Sequence, residues 1–212
     1  MRKFVLPNNP ILSIVAKKLS KKAIQSDETK DKINQMLEVA YGEQKDRNKP
    51  ILVGLAAPQI GISKRIILVD IKANGKGEVG GPPAGGLRIY LNPEIIWSSE
   101  EENEWYEGCF STDRVCGVVS RPTAIKIKAF SLTPQGWEAK VVEEDYRGYT
   151  ARIFQHEIDH LNGKEFVTHI TDPEKLHWVQ ENEFPIYRNQ EAWRNWPKKC
   201  SFGKWKEIKF SE

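Results

Sequence analysis

The segment QHEIDHLNG, residues 155–163, carries two histidines four residues apart with a glutamate directly after the first. Positions four apart on an α-helix differ in direction by about 40° and lie roughly 6 Å from each other, so His156 and His160 can aim at one metal ion. Glu157 lies one residue round the helix, where it can reach a water molecule at the ion without binding the ion, as a general base must. The motif indicates a hydrolytic metal site on a helix whose burial is predicted by four apolar residues, Ile153, Phe154, Ile158 and Leu161.

The helix that carries this motif follows a series of strand-like segments. Stretches that are rich in β-branched residues or alternate in polarity predict strands over 65–71, 87–96, 124–130 and 137–145. Residues 149–163 have the helical period and end in Asn162-Gly163, a helix stop signal. Strands that come first and a site helix that comes late predict an α+β fold, with antiparallel or mixed sheets packed around the central helix.

The two ends of the chain predict additions to this body. Residues 11–43 have apolar residues at helical spacing and predict one or two surface helices, whereas the glycine-rich residues 74–86 predict a flexible loop. Residues 171–182 predict a further helix with a proline in its first turn. We expect residues 1–170 to form the catalytic domain. Residues 171–212 should add that helix and a basic, irregular extension. The tryptophans of this extension should pack on the same domain: Trp193, Trp196 and Trp205.

Composition narrows the functional classes. The chain has 212 residues, 39% of them hydrophobic, and a net charge of only +3, which fits a single domain with an appendage and gives no indication of DNA binding. Seven of the basic residues lie within 185–212 against three acids, which is typical of a solvated surface and less often of a contact with a polyanionic partner. Pro7 and Pro10 interrupt the first apolar run, so we expect neither a signal peptide nor a membrane span, and three cysteines indicate a reducing compartment rather than secretion.

Two histidines leave the metal site one ligand short. One class of zinc peptidase adds a third histidine in the pattern HExxHxxGxxH, but Phe166 occupies that position here and cannot bind a metal. A glutamate from a later segment, Glu181 or Glu183, is a second source, and a thiolate from Cys109 or Cys116 is a third. The residues alone leave the glutamate and the thiolate open.

Three short motifs together resemble the signatures of one enzyme family. GLAAPQ (54–59), EGCFS (107–111) and QHEIDH (155–160), in this order, are similar to the three signature motifs of peptide deformylases, with a match over roughly residues 50–165. The resemblance implies an enzyme that removes the formyl group from the N-terminal methionine of newly made proteins and releases formate. It also implies that Cys109 is the third ligand beside His156 and His160, around one divalent ion. Fe²⁺ is expected in the cell, with Zn²⁺, Ni²⁺ or Co²⁺ able to occupy the same site.

The resemblance implies further roles around the ion. Negative charge that develops on the formyl oxygen would meet two hydrogen-bond donors, the side-chain amide of Gln59 and the backbone N–H of Phe110. The substrate peptide would lie extended as an added strand. The residues expected along that strand or around its methionine are Val53, Gly54, Gly108 and Ile153, with the ring of His156 as a further wall of the methionine pocket.

Two residues in or near the motifs depart from the family pattern, and one motif residue is expected to form an ion pair. Leu52 stands where many members have glycine, and Phe110 stands where leucine is commoner. Glu107 is expected to order its motif through an ion pair with Arg121. The implied partners are formyl-methionyl nascent peptides and, transiently, the ribosome through the basic C-terminal residues, in a bacterial cytoplasm or an organellar matrix.

Two other functions compete with this interpretation. A zinc peptidase of the HExxH type would use the downstream glutamate and give Cys109 no role. An inactive relative would bind N-termini or the ribosome without turnover.

Overall fold

The segment 155–163 lies on α3 (Gly148–Leu161), the central helix of a computed structural model that describes residues 4–42, 52–73, 86–132 and 137–211. The helix ends as the sequence predicts, with Asn162 as its cap followed by Gly163 at φ 68°. A Cβ atom at Gly163 would lie 2.8 Å from the carbonyl carbon of Ser13, so this turn needs glycine for its conformation and for its contact with the N-terminal segment.

Five antiparallel strands form the larger sheet, in the order β1-β2-β3-β6-β7. All four strands predicted from the sequence are confirmed and lie in this sheet, next to the short edge strand β1. The strands are β1 (Gly54–Ala56), β2 (Ile66–Asp70), β3 (Leu87–Ser98), β6 (Ala124–Leu132) and β7 (Lys140–Arg147).

A second antiparallel sheet has the order β4-β5-β8, so β4 (Glu102–Gly108) is an edge strand of its sheet. β5 (Val115–Pro122) pairs with β8 (Leu176–Trp178) through three residue pairs. The helix predicted over 171–182 is therefore wrong. Its proline starts only a 3-10 turn, because the ladder with β5 and the complete burial of Leu176 outweigh the local helical pattern.

The helix α3 fills the space between the two sheets. It contacts β1, β2 and β7 of the larger sheet and β5 of the smaller one. Its apolar residues are at most 5% exposed and pack against the inner face of the larger sheet: Ala151, Ile153, Phe154, Ile158 and Leu161. This burial confirms the α+β arrangement around a central helix, and it holds the motif residues in fixed directions.

The N-terminal part is less helical than its pattern predicts. A 3-10 turn (Pro10–Ser13), α1 (Lys21–Ile24) and α2 (Asp27–Tyr41) contain its helical residues, whereas residues 14–20 are not helical. Ser26 caps α2 by accepting a hydrogen bond from the N–H of Thr29. The predicted glycine-rich loop over 74–86 lies outside the described residues except at its last position.

The C-terminal residues are ordered into helices rather than an irregular extension, which corrects that expectation. α4 (Phe184–Arg188), a 3-10 segment (Asn189–Asn195) and α5 (Phe202–Phe210) follow β8. The three tryptophans of this part are buried in apolar clusters with residues of the smaller sheet. No helix within the described ranges combines the length and the apolar character needed to cross a membrane.

Candidate functional site

Three side chains from distant parts of the chain meet beside α3. The ligand atoms of Cys109, His156 and His160 all lie within 4.8 Å of one another, and the Sγ of Cys109 is 3.3 Å from Nε2 of His160. Cys109 directly follows β4 and caps a 3-10 turn, which presents its sulfur toward the helix. The helical spacing of the two histidines brings their rings to a centroid separation of 5.0 Å. The structure thus brings together the three residues expected to hold the ion.

The donor set fits a divalent transition metal. Four-coordinate metals with one sulfur and two imidazole nitrogens hold these atoms roughly 3.3–3.7 Å apart, and here the three ligand atoms lie within 4.8 Å of one another. One thiolate and two imidazoles suit iron, zinc, nickel and cobalt. Within the ranges that the structure describes, no other group of three His, Cys, Asp or Glu side chains is arranged to hold a metal.

Glu107 orients the first histidine. Its Oε2 accepts a hydrogen bond of 2.9 Å from Nδ1 of His156, which leaves Nε2 of that ring for the ion. Its Oε1 accepts from Arg121 at 2.6 Å and from Arg152 at 2.7 Å, so the predicted ion pair between Glu107 and Arg121 is confirmed. Arg121 also contacts Asp159 at 2.8 Å.

The charges of this network set the protonation of its members. Burial acts to raise the pKa of Glu107, but Arg121 and the hydrogen bond from His156 outweigh it and hold that pKa well below its usual range. Burial acts to lower the pKa of His156, but its contacts with Cys109 and Glu107 raise it well above the usual value. Burial and the neighbouring His156 lower the pKa of His160 well below its usual value, which favours the neutral imidazole.

Glu157 directly follows His156 on α3, and its carboxylate lies against Gly54. The side chain is 5% exposed, and its Oε2 is a buried atom with no partner among the described residues. Burial raises its pKa to about 7, against the opposing charge of His156. Gly54 allows this placement, because a Cβ atom there would lie 2.9 Å from Cδ of Glu157 and 2.8 Å from Cγ2 of Ile153.

Gln59 is held so that its amide N–H₂ faces the cluster. The N–H of Ala56 donates to Oε1 of Gln59 at 2.7 Å, which fixes the orientation of the amide. Its Nε2 donates to Sγ of Cys109 at 3.1 Å and to Oγ of Ser111 at 3.3 Å. The side chain is 3% exposed, so the donors are directed at the site by buried neighbours.

Phe110 presents its backbone and its ring to different surroundings. It is the first residue of the 3-10 turn after Cys109, where a backbone N–H has no acceptor within the turn itself. Its ring is 63% exposed and stacks on Phe4 with a centroid separation of 4.6 Å. Phe110 stands where leucine is commoner, and its larger ring therefore extends the surface beside Cys109 toward the N-terminal segment.

The residues expected to contact substrate lie at the ends of two strands and on α3. Gly54 begins β1 and Gly108 ends β4, and among the described residues each of these strands has one neighbour in its sheet. Val53 is half-buried, and its carbonyl accepts from the N–H of Asp70. Ile153 is buried one turn before Glu157 on α3. Gly108 directly precedes Cys109 and Ile153 lies on α3 with the two histidines, whereas Val53 and Gly54 lie at the start of β1, where Gly54 contacts Glu157 and Ile153.

The other candidate ligands lie elsewhere. The carboxylate of Glu181 pairs with Arg114 at 3.0 Å, and that of Glu183 pairs with Lys198. Cys116 is fully buried under Gly108, and burial raises the pKa of its thiol to about 12. The zinc-peptidase alternative therefore lacks its third ligand.

Two contributing residues were missed in the sequence. Arg152 lies four positions before His156 on the same face of α3, and this spacing was the signal that could have paired it with Glu107. Ser111, fully buried, receives a hydrogen bond from Gln59, and its place in the EGCFS motif was the only indication.

Comparison with known proteins agrees with this geometry. The sequence profile of the polypeptide deformylase family matches residues 1–176. The peptide deformylase of Phenylobacterium zucineum is 32% identical over 171 residues, which cover 81% of this chain and 88% of that protein. The crystal structure of the peptide deformylase from Thermotoga maritima superposes with a TM-score of 0.64 at 31% identity, covering 81% of this chain and 99% of that chain.

A ligand-bound structure is also similar. The class I type b peptide deformylase from Acinetobacter baumannii, crystallised with Met-Ala-Ser, has a TM-score of 0.63 at 32% identity and covers 79% of this chain and 97% of that chain. The chain belongs to the polypeptide deformylase family and is a metal-dependent hydrolase that removes the formyl group from an N-terminal methionine.

Proposed function

We propose that Cys109, His156 and His160 hold the catalytic ion of this deformylase and that Glu157 moves the proton during hydrolysis. The observation that carries the proposal is the convergence of Cys109, His156 and His160, with the buried Glu157 next to His156 on α3 and its Oε2 lacking a partner among the described residues. When bound, the ion supplies Lewis-acid activation of water and of the formyl carbonyl. Proton transfer, charge stabilisation and substrate binding are carried out by residues of the protein.

Glu157 is suited to act first as a base and then as an acid. A pKa of about 7, raised by burial, lets the carboxylate accept a proton from the attacking water and release it again at neutral pH. The leaving group is the amine of methionine, which must gain a proton as the C–N bond breaks. Glu157 returns the same proton to that nitrogen, so each turnover ends with the carboxylate ionised.

Gln59 and Phe110 stabilise the charge that develops on the formyl oxygen. The amide of Gln59 is oriented by the N–H of Ala56 before substrate binds, and the N–H that donates to Sγ of Cys109 would be shared with the formyl oxygen. The N–H of Phe110 opens from the start of the turn beside Cys109. Loss of one such donor costs about 10²–10³ in rate in a well-studied protease.

The peptide is bound as a strand between β1 and β4. Both are edge strands within the part of the chain that the structure describes, and backbone pairing at these edges would accept any sequence, as a nascent chain requires. Binding of Met-Ala-Ser by the similar enzyme from A. baumannii supports a tripeptide-sized site. Ile153, Val53 and the ring of His156 would enclose the methionine side chain, and Gly54 and Gly108 would contact the backbone.

Fe²⁺ is the proposed ion in the cell. A single thiolate with two imidazoles suits ferrous iron but makes the site sensitive to oxidation of either sulfur or metal. The exposed lysines Lys204 and Lys206 on α5 carry part of the basic surface that we expect to contact the ribosome. That contact, and a location in a bacterial cytoplasm or an organellar matrix, stay predictions.

The test is formate release from formyl-Met-Ala-Ser by anaerobically prepared iron protein. Glu157→Gln keeps the size of the side chain but removes the base, so kcat should fall by about 10²–10⁴ while metal content stays equal to wild type. Glu207→Gln, an exposed acid on α5, is the matched control and should retain full activity. Near-normal turnover by Glu157→Gln would contradict the assignment.

A further inference from the structure

The helix α4 lies beyond the residues that match the family, yet it reaches the proposed substrate cleft. The family match ends at residue 176, and α4 covers Phe184–Arg188. Tyr187 is fully buried against Tyr106 of β4, with ring centroids 5.5 Å apart. A Cβ atom on Gly108 would lie 3.9 Å from Cε1 of Phe184. This chain therefore adds its own side chains next to the last residue of β4.

Arg188 is an exposed cation on this added helix. Its guanidinium carbon lies 5.3 Å from the centroid of the Phe184 ring. No carboxylate among residues 4–42, 52–73, 86–132 and 137–211 lies within 4.0 Å of its guanidinium nitrogens, in contrast to Arg194 nearby, which pairs with Glu191. Phe184 thus links the backbone of Gly108 to an available positive charge.

The positive charge of Arg188 affects titratable side chains on three neighbouring elements. Burial raises the pKa of Tyr106 on β4, and Arg188 opposes that rise. Burial also raises the pKa of Tyr149, in the first turn of α3, to about 12, and Arg188 opposes it there too. The same charge also opposes the rise in the pKa of the buried Cys116 thiol on β5, so Arg188 acts on groups of three elements next to Gly108.

Strand geometry decides which substrate side chain meets this charge. Successive side chains of a strand point to opposite faces of its sheet. Glu107 points toward α3, where it contacts His156, so the neighbouring Gly108 faces the opposite side, where Phe184 and Arg188 lie. A peptide paired with β4 whose methionine points toward α3 would direct its next side chain to that opposite side.

We propose that Arg188 is a specificity-determining residue that favours an acidic side chain directly after the formyl-methionine. The inference rests on the proposed binding of the peptide along β4. A carboxylate at that position would form an ion pair with Arg188 beside the Phe184 ring, whereas a lysine would be repelled. Because the pair is exposed to solvent, its effect is modest and falls with salt.

The experiment compares kcat/KM for three formyl-tripeptides, formyl-Met-Glu-Ser, formyl-Met-Gln-Ser and formyl-Met-Lys-Ser, at low ionic strength. Wild type should prefer Glu over Gln by about threefold, the effect expected of one exposed ion pair, and the difference should lie in KM rather than kcat. Arg188→Ala should bring the ratio to about one, Arg188→Lys should restore most of it, and Arg188→Glu should favour the lysine peptide. Lys22→Ala removes the same charge from the exposed face of α1 and should keep the wild-type preference.

The outcomes separate the two proposals. Equal values for the three peptides, or a preference that survives in Arg188→Ala, would overturn the role of Arg188 while leaving deformylation intact. Failure of wild type to release formate from all three peptides and from formyl-Met-Ala-Ser would overturn the proposed function itself.

Discussion

Replacing Gly54 with alanine is a direct test of how tightly Glu157 is positioned. The new Cβ atom would lie 2.9 Å from Cδ of Glu157 and 2.8 Å from Cγ2 of Ile153, whereas ordinary contact begins at 3.4 Å. The carboxylate carbon must therefore retreat by about half an ångström and its oxygen by more. A catalytic group that is misplaced by about 1 Å can lose 10²-fold in rate. We expect kcat to fall by about 30- to 100-fold, roughly 2–2.7 kcal/mol of transition-state stabilisation.

The assay should separate chemistry from folding and from metal loss. Formate release by Gly54→Ala and wild type is measured with equal iron content, together with thermal unfolding. Gly203→Ala is the matched control, since the nearest heavy atom to its new Cβ is Oγ of Ser201 at 3.7 Å. Within helix α5 that control should stabilise the protein by about 0.5–1 kcal/mol and leave activity unchanged. A Gly54→Ala enzyme with kcat within fivefold of wild type, at full metal content, would refute the reasoning.

Three further predictions concern stability. Lys209 and Glu165 are both buried, with Nζ of the lysine 2.9 Å from Oε2 of the glutamate. Lys209→Met should lower the free energy of unfolding by about 3–5 kcal/mol, because it leaves a buried carboxylate unpaired. In denaturant titrations the double variant Lys209→Met/Glu165→Leu should recover most of that loss. Burial lowers the pKa of His177 to about 4, so the neutral imidazole contributes stability above pH 6.5, and this contribution is lost as the pH falls toward 4. Between pH 7.5 and 5 the free energy of unfolding of wild type should fall by about 2 kcal/mol more than that of His177→Gln. Parallel pH profiles of the two proteins would contradict this. Asp113 has φ 55° and ψ −120°, a conformation that favours glycine, so Asp113→Gly should raise stability by about 1 kcal/mol, and a lower melting temperature would count against strain there.

The site was more predictable from the sequence than its surroundings, for a physical reason. A metal cluster on a helix depends on local spacing, and the i, i+4 relation of His156 and His160 survives any tertiary arrangement that keeps α3. The four predicted strands were found because a half-buried strand carries its alternation in its own residues. The third ligand needed contact between residues 109 and 156, which periodicity cannot supply, and only the family resemblance indicated it.

The failures lie where tertiary contacts override local preference. Residues 176–178 carry a helical pattern but form β8, because β5 offers an unpaired edge and Leu176 becomes fully buried there. The ordered C-terminal helices were not expected, since charges separate their tryptophans in the sequence. Burial of Trp193 against Trp105 of β4, with ring centroids 5.7 Å apart, supplies the stabilisation that local propensity lacks.

The central claim is that one sulfur and two imidazoles bind the catalytic ion together, and X-ray absorption spectroscopy of the metal-loaded protein tests it most directly. With zinc as the probe, we expect one sulfur neighbour at about 2.3 Å and two imidazole nitrogens at about 2.0–2.1 Å, with the sulfur contribution lost in Cys109→Ser. A first shell that contains only nitrogen and oxygen in the wild-type protein would contradict it.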